Sequence, residues 1–207
     1  MARGTSSYHR ELATSKRESV LAAATELFLE DGYDRTSLAR IAERAGVSKA
    51  TLFKQFPTKA ALFEATVLAA GGTAVPQPVD VPLADFTAGL VALGRAYAEL
   101  VTRPEMTALM RTVIAESPRF PELRERTFDF GTLPVLAALG RYLRDAHAAG
   151  VAEIDDPDTA SAQFLGMIAS SVFWPRLVHG TWSITDEEQE QVVEAAARTI
   201  AARYGAS

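Results

Sequence analysis

The sequence predicts an all-α protein in two parts: an N-terminal three-helix unit built around a helix-turn-helix, and a larger α-helical body behind it. Three observations carry this. Apolar residues recur at three- and four-residue spacing, and no strand-like alternation or internal repeat stands out. Ser, Thr and Asp residues able to cap helices precede the apolar runs, and Gly or Pro follows them. One segment, 71–82 (GGTAVPQPVDVP), breaks the helical pattern and reads as a linker. The expected division is a flexible arm over 1–13, a first domain over 14–70, the linker over 71–82, and a second domain over 83–207.

The first helix is expected over 15–31. Val20, Leu21, Ala24, Leu27 and Phe28 make its apolar face, Ser15 with Glu18 forms a capping box, and Gly32 ends it. Ahead of it, residues 1–13 are polar and carry Arg3 and Arg10. They read either as a frayed terminus or as a basic arm reaching DNA. Thr36 and Ser37 offer hydroxyls at the next helix start. Leu38, Ile41, Ala42 and Ala45 then fall on one helical face, and Gly46 permits the positive φ that stops that helix. Ser48 can cap a further helix. Ala42 is small enough for two helices to cross closely, and Leu52 would plug the gap between them. This small–glycine–apolar spacing is that of a helix-turn-helix. Pro57 stops the second of the pair, and Thr58 caps a fourth helix with Lys59 in its first turn. A lysine there opposes the helix dipole, which suggests a phosphate nearby.

In the body, helices are expected over 83–102, from Pro104 to about Pro118, over 121–149 with a kink near Gly131 and Pro134, from Pro157 (capped by Asp156) toward Trp174, and over 186–204. Thr185 with Glu188 boxes the last one and Gly205 ends it. Acidic clusters at Asp155, Asp156 and Asp158 and at Asp186, Glu187 and Glu188 sit at helix starts, where the dipole favours them, so they are not read as metal sites.

The chain has 207 residues and no cysteine, which excludes disulfides and thiol chemistry. No apolar run approaches the roughly 18 residues that would span a bilayer, and no signal peptide is recognisable, so a cytoplasmic protein without membrane contact is expected. The net charge of −5 is unevenly spread. Residues 1–63 hold ten Lys and Arg against seven Asp and Glu, a surplus of +3; the remainder, at eleven against nineteen, carries −8. The basic surplus lies with the helix-turn-helix, as a DNA footprint requires. Motifs for zinc proteases, nucleophile elbows and phosphate loops are absent, and His9, His147 and His179 share no ligand spacing. Neither an enzyme, a cofactor nor a metal is therefore expected. A helical adaptor that uses the small unit for protein contacts stays open beside DNA binding.

Residues 16 to about 68 resemble the DNA-binding domain of TetR-family transcriptional regulators. The resemblance rests on 23–28 (AATELF), Gly32-Tyr33, Thr36-Ser37-Leu38, Ile41-Ala42, 45–48 (AGVS), Thr51-Leu52-Phe53 and 56–62 (FPTKAAL). Phe53 stands where the family commonly has tyrosine, and Gln55 where an aromatic or histidine is common. Thr36, Ser37, Thr51, Lys54 and Lys59 are expected to hold phosphates, with Ser48 capping the recognition helix and also reaching phosphate. Lys49, Ala50 and Phe53 are expected near base edges. Gln55 either reads an adenine edge or faces solvent.

The body resembles AefR-like C-terminal domains more loosely, through Arg103-Pro104-Glu105, 120–123 (FPEL) and 163–166 (QFLG). The resemblance implies a ligand-responsive repressor whose second domain holds an apolar or amphipathic effector of unknown identity. Phe86, Leu90, Tyr97, Met106, Met110, Phe128, Phe164, Met167 and Trp174 are the candidates to line that site, and each also reads as plain core. Tyr97, Arg111, Gln163, Arg176 and His179 could orient a ligand. One recognition helix makes few base contacts, so a homodimer reading a palindromic double-stranded operator is expected. Ala160, Ser161, Gly166, Ala169, Ser170, Ala195, Ala196 and Ala202 are small enough for close helix approach, and the resemblance assigns the interface to the last two helices of each subunit.

Overall fold

The computed structural model describes residues 4–70, 83, 85–123 and 134–206, of which 4–13 and 134 are described by backbone alone. The helices are α1 (Gly4–Arg35), α2 (Leu38–Arg44), α3 (Lys49–Gln55), α4 (Lys59–Ala70), α5 (Phe86–Thr102), α6 (Pro104–Glu116), α7 (Pro134–Ala148), α8 (Pro157–Val172), α9 (Trp174–Val178) and α10 (Asp186–Tyr204). Among the described residues there is no strand, and the β pairing is confined to an isolated antiparallel bridge, Ala152 to Gly205.

The expected all-α class is what is found, but its divisions shift. α1 starts at Gly4, not at Ser15. Nothing between Thr5 and Asp31 is a glycine or a proline, so no residue forces a stop there. Ser15 lies inside the helix, where its carbonyl accepts from the Ser19 hydroxyl at 2.9 Å. Residues 1–3 of the expected arm lie outside the described residues, as does the linker 71–82. α5 starts at Phe86, with Asp85 accepting from the Ala88 N–H at 2.9 Å, three residues after the expected Leu83. Of the helix expected over 121–149, residues 121–123 and Pro134–Ala148 are helical, and the part between lies outside the described residues.

The chain forms two compact units, Met1–Ala70 with Ala108–Phe128, and Gly71–Thr107 with Asp129–Ser207. Residues 108–123 thus pack with the helix-turn-helix, although the sequence places them in the second domain. The core of the first unit is aromatic. Phe28, Tyr33 and Phe63 meet pairwise with ring centroids 5.0–5.9 Å apart, and Phe120 closes on Tyr33 edge-on at 5.1 Å.

In the second unit α5 is the central helix and packs on α7, α8 and α10. The expected caps hold: Asp156 accepts from Thr159 N–H at 3.0 Å, and Thr185 and Glu188 form a reciprocal capping box. Gly94 sits where α5 meets α8 and α10. A Cβ built there would lie 2.8 Å from Val193 Cγ1 and 2.9 Å from Phe164 Cζ, both in fully buried side chains. Alanine gains about 1 kcal/mol over glycine in a helix, whereas overpacking a tight core costs about 1–3 kcal/mol. Gly94→Ala should therefore cost a net 1 kcal/mol or so of stability, read as a lowered urea midpoint; a raised midpoint would mean that these side chains have room to yield.

Candidate nucleic-acid interface

α2 and α3 cross as their spacing predicts. Ile41, Ala42 and Leu52 are almost wholly buried between them. Gly46 takes φ 66°, and the next amide, Val47 N–H, donates back to Ala42 O at 3.0 Å, which closes α2. Ser37 caps α2 by accepting from Arg40 N–H at 3.3 Å. Ser48 caps α3 by accepting from Thr51 N–H at 3.1 Å, and its hydroxyl lies 2.8 Å from the Thr51 hydroxyl. Both helices have seven residues, too short to be stable alone, so caps and the shared core hold them.

Ser48, Lys49, Ala50, Phe53 and Lys54 are exposed, and Thr51 is half-buried. Lys49, Ala50, Phe53 and Lys54 stand at i, i+1, i+4 and i+5, which is one strip of helix surface. Phe53 is 49% exposed, unusual for so large an apolar side chain. Lys49 and Lys54 carry no ion pair among the described residues. The arginines of α2 are different: Arg40 pairs with Asp31 at 2.7 Å and Arg44 with Glu26 at 2.9 Å, both on α1. The +3 surplus is thus partly neutralised inside the unit, while both lysines of α3 stay outside any ion pair among the described residues. Gln55 does not simply face solvent, because its side-chain oxygen is buried without a hydrogen-bond partner.

Two expected phosphate contacts are corrected. Thr36 is 2% exposed, and its hydroxyl turns inward to Gly32 O at 2.8 Å and Leu27 O at 3.0 Å. Lys59 is half-buried. Its ammonium donates to Tyr33 O at 2.7 Å, Thr36 O at 3.0 Å and Asp34 O at 3.2 Å, and lies 4.3 Å from the Tyr33 ring centroid. Desolvation lowers its pKa against the pull of Asp34, Glu122 and Glu116. The ammonium of Lys59 thus has three backbone acceptors, as many as it has N–H groups.

Sequence reasoning missed Arg17, whose guanidinium stacks 4.7 Å over Phe56 at the exit of α3, and Arg119, which pairs with Asp34 at 3.1 Å. The only available signal for the second was the 120–123 segment beside it.

The residues expected around an effector do not form one group. Phe86, Leu90, Met106 and Phe164 are buried in the second unit, with Tyr97 and Met167 half-buried. Phe86 stacks on Tyr142 at 5.9 Å, and Phe164 packs on Gly94, so protein atoms already face both. Burial pushes the Tyr97 hydroxyl up to about 12. Met110 belongs to the first unit, Trp174 is 55% exposed, and Phe128 lies outside the described residues. Of the polar candidates, Gln163 accepts from the Tyr204 hydroxyl at 2.8 Å, Arg176 lies 5.7 Å from the Trp182 ring, and Arg111 and His179 are exposed.

A capped recognition helix crossing a short partner, within an all-helical chain of two units, defines a helix-turn-helix DNA-binding regulator. Residues 20–66 match the bacterial regulatory proteins of the tetR family, and residues 88–206 match the C-terminal domain of AefR-like transcriptional repressors. The chain belongs to the TetR family of transcriptional regulators, which are not enzymes. A chain from Mesorhizobium loti assigned to the same regulators is 27% identical, over 94% of this chain and 98% of that one, with a TM-score of 0.77. The Flavonoid-responsive Regulator FrrA is 34% identical, over 92% and 97%, with a TM-score of 0.70. The repressor AcnR of Corynebacterium diphtheriae is 26% identical over 132 residues, 64% of this chain and 66% of AcnR. YdeS of Bacillus subtilis, a transcriptional regulator, is 41% identical over 61 residues, 31% of its length. The chain thus spans less than two thirds of these two curated relatives.

The α3 cap is open to test. Ser48→Ala should cost about 1 kcal/mol of stability, the usual loss on removing an N-cap hydroxyl. Urea denaturation reads it; no change would mean that Thr51 takes over the cap.

Proposed function

We propose that this regulator is a repressor that binds a palindromic operator as a homodimer and leaves it when a small apolar or amphipathic effector binds. The observation that carries the DNA reading is the exposed strip Lys49, Ala50, Phe53 and Lys54 on a helix capped and braced from behind. In that reading Lys54, Ser37, Ser48 and Thr51 meet phosphates, and Lys49, Ala50 and Phe53 meet base edges. A phenyl ring favours a thymine methyl over a polar edge. Work on an operator places the protein in the cytoplasm.

The dimer reading is supported by two faces that the fold leaves uncovered. Ala162, Gly166 and Ser170 follow one another up α8, and Ala195, Thr199 and Ala202 up α10, all exposed. Ala160, Ala169 and Ala196, counted on for the interface from sequence, are at most 5% exposed and serve the subunit's own core. An open groove of about 580 Å³ between α8 and α10, lined by Ser171, Pro175, Trp182 and Val192 among others, adjoins this face. The effector reading is supported by FrrA, which is named for its response to flavonoids, and by the buried apolar side chains of α5 and α8.

Selection of bound duplexes from a random pool tests the central claim. An inverted repeat with half-sites one helical turn or a multiple apart is expected; no enrichment would favour a helical adaptor instead. Lys49→Ala should shift the preferred bases in that selection, and an unshifted preference would move Lys49 to the backbone. Nothing lies within 4 Å of a Cβ built on Gly166, so a large side chain there leaves the subunit intact. Gly166→Arg should convert the dimer to monomer in sedimentation, with operator affinity falling by tenfold or more; a dimer that survives puts the interface elsewhere.

A further inference from the structure

The sequence explains a lysine at the start of α4 by a phosphate, and the structure offers it backbone carbonyls instead. α1 breaks at Gly32 and ends at Arg35, which leaves backbone carbonyls without helical donors. The carbonyls of Tyr33, Asp34 and Thr36 converge on Lys59 Nζ at 2.7–3.2 Å. The Thr36 hydroxyl takes those of Leu27 and Gly32. Lys59 opposes the dipole of its own helix and complements that of α1. The Tyr33 ring covers the ammonium on one side and Phe120, 5.9 Å away, stands on another.

The position of this cation matters for reading. α3 ends at Gln55 and α4 begins at Lys59, so only Phe56, Pro57 and Thr58 separate the recognition helix from the clamp. On the other side, α2 is tied to α1 through the exposed pairs of Arg40 and Arg44. Besides the shared core and the stacking of Arg17 on Phe56, the recognition strip takes its angle to α1 from these two attachments, of which Lys59 is the half-buried one.

We propose that Lys59 is a positioning residue for DNA reading: it clamps the C-terminal carbonyls of α1 to the start of α4, sets the presentation of α3, and does not contact phosphate. This rests on the DNA-binding reading above. It predicts that loss of the clamp degrades discrimination between sequences, because α3 is misaligned, while the count of phosphate contacts stays the same.

The test uses the full chain with Lys59→Met, Lys59→Arg and Phe120→Leu. Binding to the selected operator and to a scrambled duplex is titrated across a salt series, at a temperature below every melting transition. Lys59→Met should reduce the operator-to-scrambled affinity ratio about tenfold and leave the salt slope on scrambled DNA unchanged. Arginine, which keeps the charge but cannot aim a planar fork at three convergent carbonyls, should not restore the ratio. Phe120→Leu thins one wall of the clamp and should lower the ratio to a smaller degree, which keeps the proposal exposed if Lys59→Met does not fold. A slope reduced by about 0.9 with methionine, restored by arginine, would make Lys59 a phosphate contact and overturn the proposal. A lower melting temperature with an unchanged ratio would make the clamp merely structural, and an unchanged ratio in Phe120→Leu together with Lys59→Arg would also overturn it. Wild-type protein that prefers no sequence would overturn the DNA reading itself, and this is seen before any variant is made.

Discussion

The reading unit depends on how α1 ends. At Gly32 the backbone takes φ 81° and ψ 171°, a combination that a side chain makes expensive. Space restricts the position as well, since a Cβ there would lie 3.2 Å from a carboxylate oxygen of Glu116. The break turns the chain so that Tyr33 points into the core beside Phe28 and Phe63, at 1% exposure, while its carbonyl and those near it point out. Buried or half-buried carbonyls without donors are costly, roughly 1–3 kcal/mol each. Thr36 and Lys59 meet that demand.

Electrostatics follow from the same economy of donors. A DNA-binding surface gains from each phosphate it neutralises, and an arginine held by a carboxylate contributes little to that. Arg40, Arg44 and Arg119 each lie within 3.1 Å of an acid of α1 or the residues following it. Exposed pairs of this kind add at most about 1 kcal/mol of stability. What they fix is the attachment of α2 to α1, and the lysines of α3 carry no such pair among the described residues.

Legibility in the sequence tracked the range of the interaction. The Ala42–Gly46–Leu52 crossing, the Ser37 and Ser48 caps, the Asp156 cap and the Thr185–Glu188 box all lie within ten residues, and each stands where the spacing put it. The start of α1 misled because Ser15 and Glu18 match a capping box but nothing before them breaks the helix. Thr36 and Lys59 misled for a different reason. Their acceptors are 4–9 and 23–26 residues away, and a phosphate would have satisfied the same donors equally well. The packing of residues 108–123 with the first unit was not legible, because α6 carries no break at Ala108 that would mark it.

Small residues show why composition alone could not place a partner surface. Alanine serves close helix approach inside a subunit and between subunits, and its periodicity is the same in both. Along α8, Ala160 and Ala169 are buried while Ala162, Gly166 and Ser170 are exposed, so two stripes of small residues run along one helix on different faces. The inner stripe lets α5 and α10 approach; Gly94 on α5, with no Cβ at all, marks how close that approach is. The outer stripe has no such neighbour among the described residues. A flat, small-residue face beside exposed Trp174 and Val178 is poorly hydrated yet offers few directional contacts. In the proposed dimer such a stripe would meet its own copy, since a two-fold axis brings identical faces together and small side chains let two helices approach.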